Sequence, residues 1–288
     1  MAARYVLKIA AVVCVLIFSS FCSCREAAPV VSPSGYALGR PQKFIMNQDL
    51  REISGIVFLN GNSDTMYAIE DEDGKLFYFH LGDGQFPYTK FGKRGDYEDV
   101  TILDKKEFVV LRSDGSLFVF PLSLVHDGNR DNVRVYEQIL PSGEYEGLFG
   151  DGGGRLIALC KNCPDDDQPR EVSGYVLQEN KKGDPAITDH FKIDVSGIKL
   201  TSINHKVKFH PSCLARHPMT REWYLISSVN KVLLVLDDHW KVKASYPLDP
   251  VLFKQPEGLA FDRQGNMFIS NEGGKGNANV LRFNYKQP

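Results

Sequence analysis

One phrase recurs along the chain: a short apolar strand, a polar turn, then a second apolar strand. It stands as ISGIVFLNGNSDTMYAI at 53–69, YEDVTILDKKEFVVL at 97–111 and YEGLFGDGGGRLIAL at 145–159. It returns as PSCLARHPMTREWYLIS at 211–227 and PEGLAFDRQGNMFIS at 256–270. A third apolar stretch follows each copy: GKLFYFHL, GSLFVFPL, GYVLQ, KVLLVLD and NVLRFNY. When Ser54, Glu98, Glu146, Ser212 and Glu257 are aligned, the intervals are 44, 48, 66 and 45 residues.

Large and β-branched residues in short runs, bounded by Asp-Gly and Gly-Asn turns, read as strands and hairpins. No stretch sustains a helical apolar period, so the chain is all-β. A repeat of about 40–50 residues with four strands per copy is the period of a β-propeller blade, and five copies predict a five-bladed β-propeller. The 66-residue interval carries an insertion, expected as loops or an elongated hairpin on the third blade; a blade hidden there would make six. The last repeat supplies three strands only. The unpartnered segment RPQKFIMNQ at 40–48 is expected to close the ring as the outer strand of the fifth blade, pairing an otherwise open sheet edge.

The first strand of a blade lies innermost, so equivalent strand starts converge on one axis. Glu98, Glu146 and Glu257 hold the same place in their repeats. A glutamate there can simply cap a turn or face solvent, but three carboxylates at one narrow channel repel one another. Either their pKa values rise or a cation sits among them. Carboxylate oxygens without histidine or thiolate select a hard ion, and Ca²⁺ suits their flexible geometry better than Mg²⁺. Asp71, Asn271 and Glu272, at the ends of second strands, are possible additional ligands. The DEDG string at 71–74 lacks the downstream glutamate of an EF-hand loop. Arg112 and Lys161 hold like positions in blades two and three, where they are expected to neutralise the ring. His210 is expected to be a hydrogen-bonded structural residue.

The first 24 residues, MAARYVLKIAAVVCVLIFSSFCSC, have early basic residues, an apolar run and then small residues, the layout of an export signal. The run is shorter than the roughly 20 residues needed to span a bilayer. FCSC at 21–24 has the form of a lipoprotein signal, with Cys24 as the acylated residue. The expected organisation is a signal peptide over 1–23, a lipidated tether over 24–38 and the propeller over 39–288. Of the cysteines left in the mature part, Cys160 and Cys163 in CKNC are expected to form a local disulfide, with two free buried thiols as the other reading; a zinc site would need about four ligands.

The formal net charge is −2 and no basic stripe is present, which argues against nucleic acid as a partner. No G-x-S-x-G elbow, paired-histidine spacing or phosphate loop occurs. EISGI followed by YAIEDEDGKLF, then GDYEDVTI, EGLF…ALCKNC and PEGLAFDRQGNMFISNEG, together resemble the SdiA-regulated family of bacterial propellers, distant relatives of NHL-repeat proteins. The resemblance covers about residues 40–286. It implies a five-bladed propeller with a Ca²⁺ site and no established enzymatic activity, with Glu98, Glu146 and Glu257 as the matching metal candidates.

Two function classes follow. The first is a lipid-anchored, calcium-binding, non-catalytic module in the cell envelope, at the outer membrane and facing periplasm or surface. It would be a monomer presenting loops to a protein or glycan. The second is a metal-dependent hydrolase of phosphoesters or lactones at the axial channel, with Glu98 or Asp99 as general base.

Overall fold

A computed structural model describes residues 30–288 apart from 129, 165, 167–169 and 199–207. Residues 1–29 are not described, so the signal peptide and the Cys24 acylation site lie outside the described residues. Strand β1 (Gln42–Ile45) precedes the first blade. Blade 1 is β2 (Ile53–Phe58), β3 (Met66–Glu70), β4 (Lys75–Phe79) and β5 (Tyr88–Lys90). Blade 2 is β6 (Tyr97–Leu103), β7 (Glu107–Arg112), β8 (Leu117–Pro121) and β9 (Arg134–Tyr136). Blade 3 is β10 (Glu144–Gly150), β11 (Arg155–Asn162), β12 (Glu171–Glu179) and β13 (Pro185–Asp194). Blade 4 is β14 (Cys213–Arg216), β15 (Trp223–Ser227), β16 (Val232–Leu236) and β17 (Val242–Pro247). Blade 5 is β18 (Pro256–Phe261), β19 (Met267–Asn271) and β20 (Asn279–Phe283), with β1 outermost.

Five four-stranded antiparallel sheets thus form a ring, and each inner strand touches the next: β2–β6, β6–β10, β10–β14, β14–β18 and β18–β2. The chain is a five-bladed β-propeller. β1 pairs with β20 from Gln42 opposite Arg282 to Ile45 opposite Asn279, the closure expected from the sequence. The insertion makes an elongated hairpin, β12 and β13 being the longest strands.

Five apolar layers fill the spaces between adjacent sheets. Ile226, Leu233, Leu259 and Ile269, for example, interlock blades 4 and 5, while Ile157, Leu159, Leu225 and Leu234 interlock blades 3 and 4. A middle strand is therefore covered on both faces, which is why β16 is written VLLVL and is buried at every position. The outer β17, VKASYP, alternates half-buried and exposed residues instead.

The segment read as a tether joins the fold earlier than its prolines suggested. Leu38 is buried in the layer between blades 4 and 5, Tyr36 donates its hydroxyl to Gly265 O at 2.5 Å, and Lys286 N donates to Gly35 O at 2.9 Å. Large rings can be buried there because the aromatic cluster of Tyr36, His217, Tyr224, Phe261 and Tyr285 packs edge-to-face and tilted.

Neighbouring inner strands are stitched by side chains, since no ladder joins them and their buried amides need partners. The Asp99 carboxylate accepts from Leu148 N at 2.7 Å and Val100 N at 2.8 Å. Thr101 Oγ1 accepts from Gly150 N at 2.8 Å, and from the second strand of blade 5 Ser270 Oγ donates to Ser54 O of blade 1 at 2.8 Å. The stitch demands close approach: a Cβ added at Gly55 would lie 2.3 Å from Asp99 Oδ1 and 2.6 Å from Val100 N. Gly55→Ala should therefore destabilise the fold by about 1–3 kcal/mol, read as a lowered midpoint in urea unfolding; an unchanged midpoint would show that the blade contact is not tight.

Candidate functional site

Every inner strand carries an irregularity at its start, and the aligned repeat position sits on it. The register between inner and second strands slips between Ile53 and Ile56, Tyr97 and Asp99, Tyr145 and Gly147, and Pro256 and Gly258. Glu98, Glu146 and Glu257 are the extra residues of these bulges. In blade 4, Ser212 N donates to Ile226 O at 2.8 Å while Cys213 is paired with the same Ile226. A bulge breaks the alternation of faces and re-aims a side chain, here out of the blade-to-blade packing. Two of the three glutamates follow a buried tyrosine whose hydroxyl donates to a carbonyl four residues earlier: Tyr97 to Lys93 O and Tyr145 to Pro141 O.

The three glutamates share one end of the channel and act on one another. Burial, then the charge of Glu146, and more weakly those of Asp96 and Glu257, push the Glu98 carboxyl up to about 10 against the opposing pull of Lys161. Burial also raises Glu146, to about 7, against its ion pair with Lys161. Burial raises Glu257, while the hydroxyls of Ser228 and Ser212 hydrogen-bond its carboxylate and oppose that shift. Ser212, which stands where other blades have glutamate, thus serves the glutamate of the next blade.

The tightest carboxylate group at this end is a different one. Oxygens of Glu52, Asp71 and Glu272 all lie within 4.8 Å of one another, whereas Glu98, Glu146 and Glu257 make no such trio among the described residues. Backbone bonds build the group across the seam of blades 1 and 5. Asp71 N donates to Glu52 O at 3.2 Å, Gly273 N to Arg51 O at 2.8 Å, and Glu272 N to Gln255 O at 2.9 Å. Asp71 Oδ1 is buried with no hydrogen-bond partner. Burial first, then Glu52 and Glu70, raise Asp71 to about 7; burial, Glu257 and Asp71 raise Glu272 to about 8.

The acidic string after β3 divides by role. Glu70 caps the turn, accepting from Glu72 N at 3.0 Å and Asp73 N at 2.8 Å. Glu72 pairs with Arg94 and Asp73 with Lys75. Only Asp71 joins the hub. Asn271 is buried, its Nδ2 donating to Asn279 Oδ1 at 3.3 Å and its Oδ1 without a partner.

Of the two cations expected to neutralise the ring, only Lys161 does so. Arg112 turns to Asp114, 2.7 Å away, and lies over the Phe118 ring. His210 is structural, Nδ1 meeting Lys161 O at 3.2 Å. Asp99 is buried and its carboxylate accepts two backbone amides, which removes it as a general base. Cys160 and Cys163 are joined as a disulfide, Cα atoms 5.8 Å apart, and Cys213 is a buried free thiol. Glu52 was missed by the sequence reading. Its signal was a second repeat position, two residues before the bulge, occupied by Glu52, Asp96, Glu144, His210 and Gln255.

No family model matches the chain, and no curated protein matches it. Solved structures do resemble it. Glutaminyl cyclase from Myxococcus xanthus has TM-score 0.53 and 14% identity over 84% of this chain and 93% of that one. A luciferin-regenerating enzyme has TM-score 0.51 and 10% identity over 85% and 95%. A calcium-binding protein, regucalcin, from Agrobacterium tumefaciens has TM-score 0.50 and 12% identity over 88% and 95%. At these identities the likeness supports the propeller fold alone.

The raised carboxyls set a pH dependence. Folded Asp71, Glu146, Glu272 and Glu98 keep protons that the unfolded chain has already released at about pH 4. Their stabilising contribution is complete below that range and is lost as pH rises through about 7 to 10. The metal-free protein should melt at lower temperature at pH 9 than at pH 5; a flat or rising trend in the presence of EDTA would contradict the charge crowding described.

Proposed function

We propose that this protein is a lipid-anchored, calcium-binding β-propeller of the cell envelope that acts as a non-catalytic binding module, a lipoprotein-type member of the SdiA-regulated family. The observation that carries the calcium reading is the Glu52–Asp71–Glu272 group with its unpartnered Asp71 oxygen. Ca²⁺ binds oxygens at about 2.3–2.6 Å, so two ligands of one ion stand at most about 5 Å apart, and the spacing within this group fits. An all-carboxylate donor set suits a hard cation. Bound there, the ion supplies positive charge that lets the group ionise without mutual repulsion. Glu257, whose charge acts on Glu272, forms with Glu98 and Glu146 a neighbouring ring on the innermost strands that adds to the field.

Cys24 supplies the anchor in this reading, and the loops around the acidic end face a protein or glycan partner. Among the described residues no helix is long and apolar enough to cross a membrane. A hydrolase reading loses one of its two candidate bases, since Asp99 is committed to amide bonds between blades. The structural neighbours include a protein described as calcium-binding and others described as enzymes, so the calcium reading rests on this chain's own carboxylates.

Calcium at one hundred times its Kd stabilises a folded state by about 2.7 kcal/mol, or roughly 5–10 °C in Tm for a chain of this size. EDTA should lower Tm by that amount and added Ca²⁺ should restore it; no change on chelation would remove the site. Glu272→Gln should weaken Ca²⁺ binding by at least tenfold in calorimetry, and more than Glu98→Gln does; the reverse order would move the ion to the ring of Glu98, Glu146 and Glu257. Turnover of phosphoesters or lactones that disappears in Glu98→Gln would replace the module by an enzyme. Palmitate labelling should be lost in Cys24→Ala, and labelling that persists would relocate the anchor.

A further inference from the structure

The opposite pole of the channel has the reverse chemistry. There the inner strands finish around a cavity of about 310 Å³, at the lower end of the range for small-molecule sites. Its wall is formed by Ile56, Val100, Ile102, Leu148, Leu214 and Leu259, contributed by all five blades. Two polar side chains set into that wall, Asp99 and Thr101, are already satisfied within the protein. The Asp99 carboxylate and the Thr101 hydroxyl both accept backbone N–H groups of blade 3. What the wall offers to a guest is mainly apolar surface.

The mouth of this cavity is cationic. Lys105, Arg216, Arg221 and Arg263 line it, and among the described residues none of the four has a carboxylate within 4.0 Å. The three acids in the lining, Asp99 with its two amide bonds, Asp151 and Asp262, are otherwise engaged. Asp151 pairs with Arg155 at 2.6 Å. Asp262 caps its own turn, accepting from Gln264 N, Asn266 N, Asn266 Nδ2 and Ser63 Oγ. Arg216 Nε donates to Arg221 O at 2.8 Å, which fixes the two arginines together, and its guanidinium lies 5.0 Å from the Trp223 ring centre. Arg221 and Arg155 act on Arg216 as like charges; Asp238 and Asp151 oppose them from beyond ion-pair range. The mouth thus holds a surplus of positive charge over a shaft walled mainly by aliphatic side chains from all five blades.

We propose that this pole is a second site, independent of the metal hub, for a small amphiphilic anion: a linear fatty carboxylate whose head pairs with Arg216 and Arg221 and whose chain enters the lumen. Guanidinium forks match a carboxylate bidentately, and each methylene drawn into the shaft adds binding through burial. The head-binding arginines and the metal group lie at opposite ends of the inner strands, which at about 3.3 Å per residue are roughly 20 Å long for a seven-residue strand such as β6, so the carboxylate head binds apart from the metal group while the cavity lining reaches back to Asp99, next to Glu98.

The test is calorimetric titration with sodium decanoate below its micellar concentration, with Trp223 fluorescence as a second readout. Saturable one-to-one binding is expected, weakening by about fourfold for each methylene removed down to hexanoate, and by at least tenfold in R216Q/R221Q. Decan-1-ol should bind at least tenfold more weakly than decanoate. Absence of saturable binding, equal binding of the alcohol, or no dependence on chain length would each overturn the site. If R216Q/R221Q fails to melt cooperatively, the exposed pair K105Q/R263Q decides: several-fold weakening supports the site, and unchanged affinity removes the cationic mouth from it. Decanoate titrated in EDTA, well below the melting temperature, should bind as it does with Ca²⁺. Loss of binding only in EDTA would sink the independence of the two poles, whereas failure of calcium binding alone would leave this site intact.

Discussion

No blade of this protein can stand by itself, because each sheet has two apolar faces and each face is covered only by the neighbouring sheet. The five layers between blades are therefore one closed system, and the pairing of β1 with β20 is what lets the last sheet have its fourth strand. Burying both faces removes most of the apolar surface of the middle strands from water, at about 25 cal/mol per Å², and it forces the inner strands into a ring. Everything at either pole of the channel follows from that enforced convergence.

Convergence has an electrostatic consequence at the strand starts. Glu52, Asp71, Glu98, Glu146, Glu257 and Glu272 are brought into one partly desolvated region with Lys161 and Lys231 as the cations acting there. Burial is the leading reason that the Asp71, Glu98, Glu146, Glu257 and Glu272 carboxyls rise, and mutual repulsion adds to it. The protein manages the excess in three ways: an ion pair for Glu146, two serine hydroxyls for Glu257, and backbone amides for Glu70. Asp71 keeps an oxygen with no partner. That leftover acceptor distinguishes the Glu52–Asp71–Glu272 group from the acids that are already satisfied.

Much of this was legible in the chain. The fivefold phrase set the number of blades, and the short RPQKFIMNQ segment announced the closing strand. The glutamates at equivalent positions pointed to one end of one channel, because equal places in a repeat become equal places around an axis. The sharper division among acids was not legible. Glu70, Asp71, Glu72 and Asp73 are four consecutive carboxylates, and only the turn that seats Glu70 against two backbone amides turns Asp71 inward. Arg112 and Lys161 looked equivalent, yet Asp114 captures Arg112, while Lys161 reaches Glu146. Glu52 was overlooked because its neighbours in the cluster come from blades 1 and 5, which lie at opposite ends of the sequence.

By itself the sequence determined the strand grammar, the fivefold repeat and the types of charged residue that each repeat brings to the axis, since these depend on local periodicity and turn chemistry. Only the tertiary structure decided which carboxylates meet, which are neutralised and which face of the wheel is basic. Those outcomes depend on bulges that re-aim single side chains and on contacts across the seam between the first and last blades, where distances of a few ångströms are set by residues some two hundred positions apart.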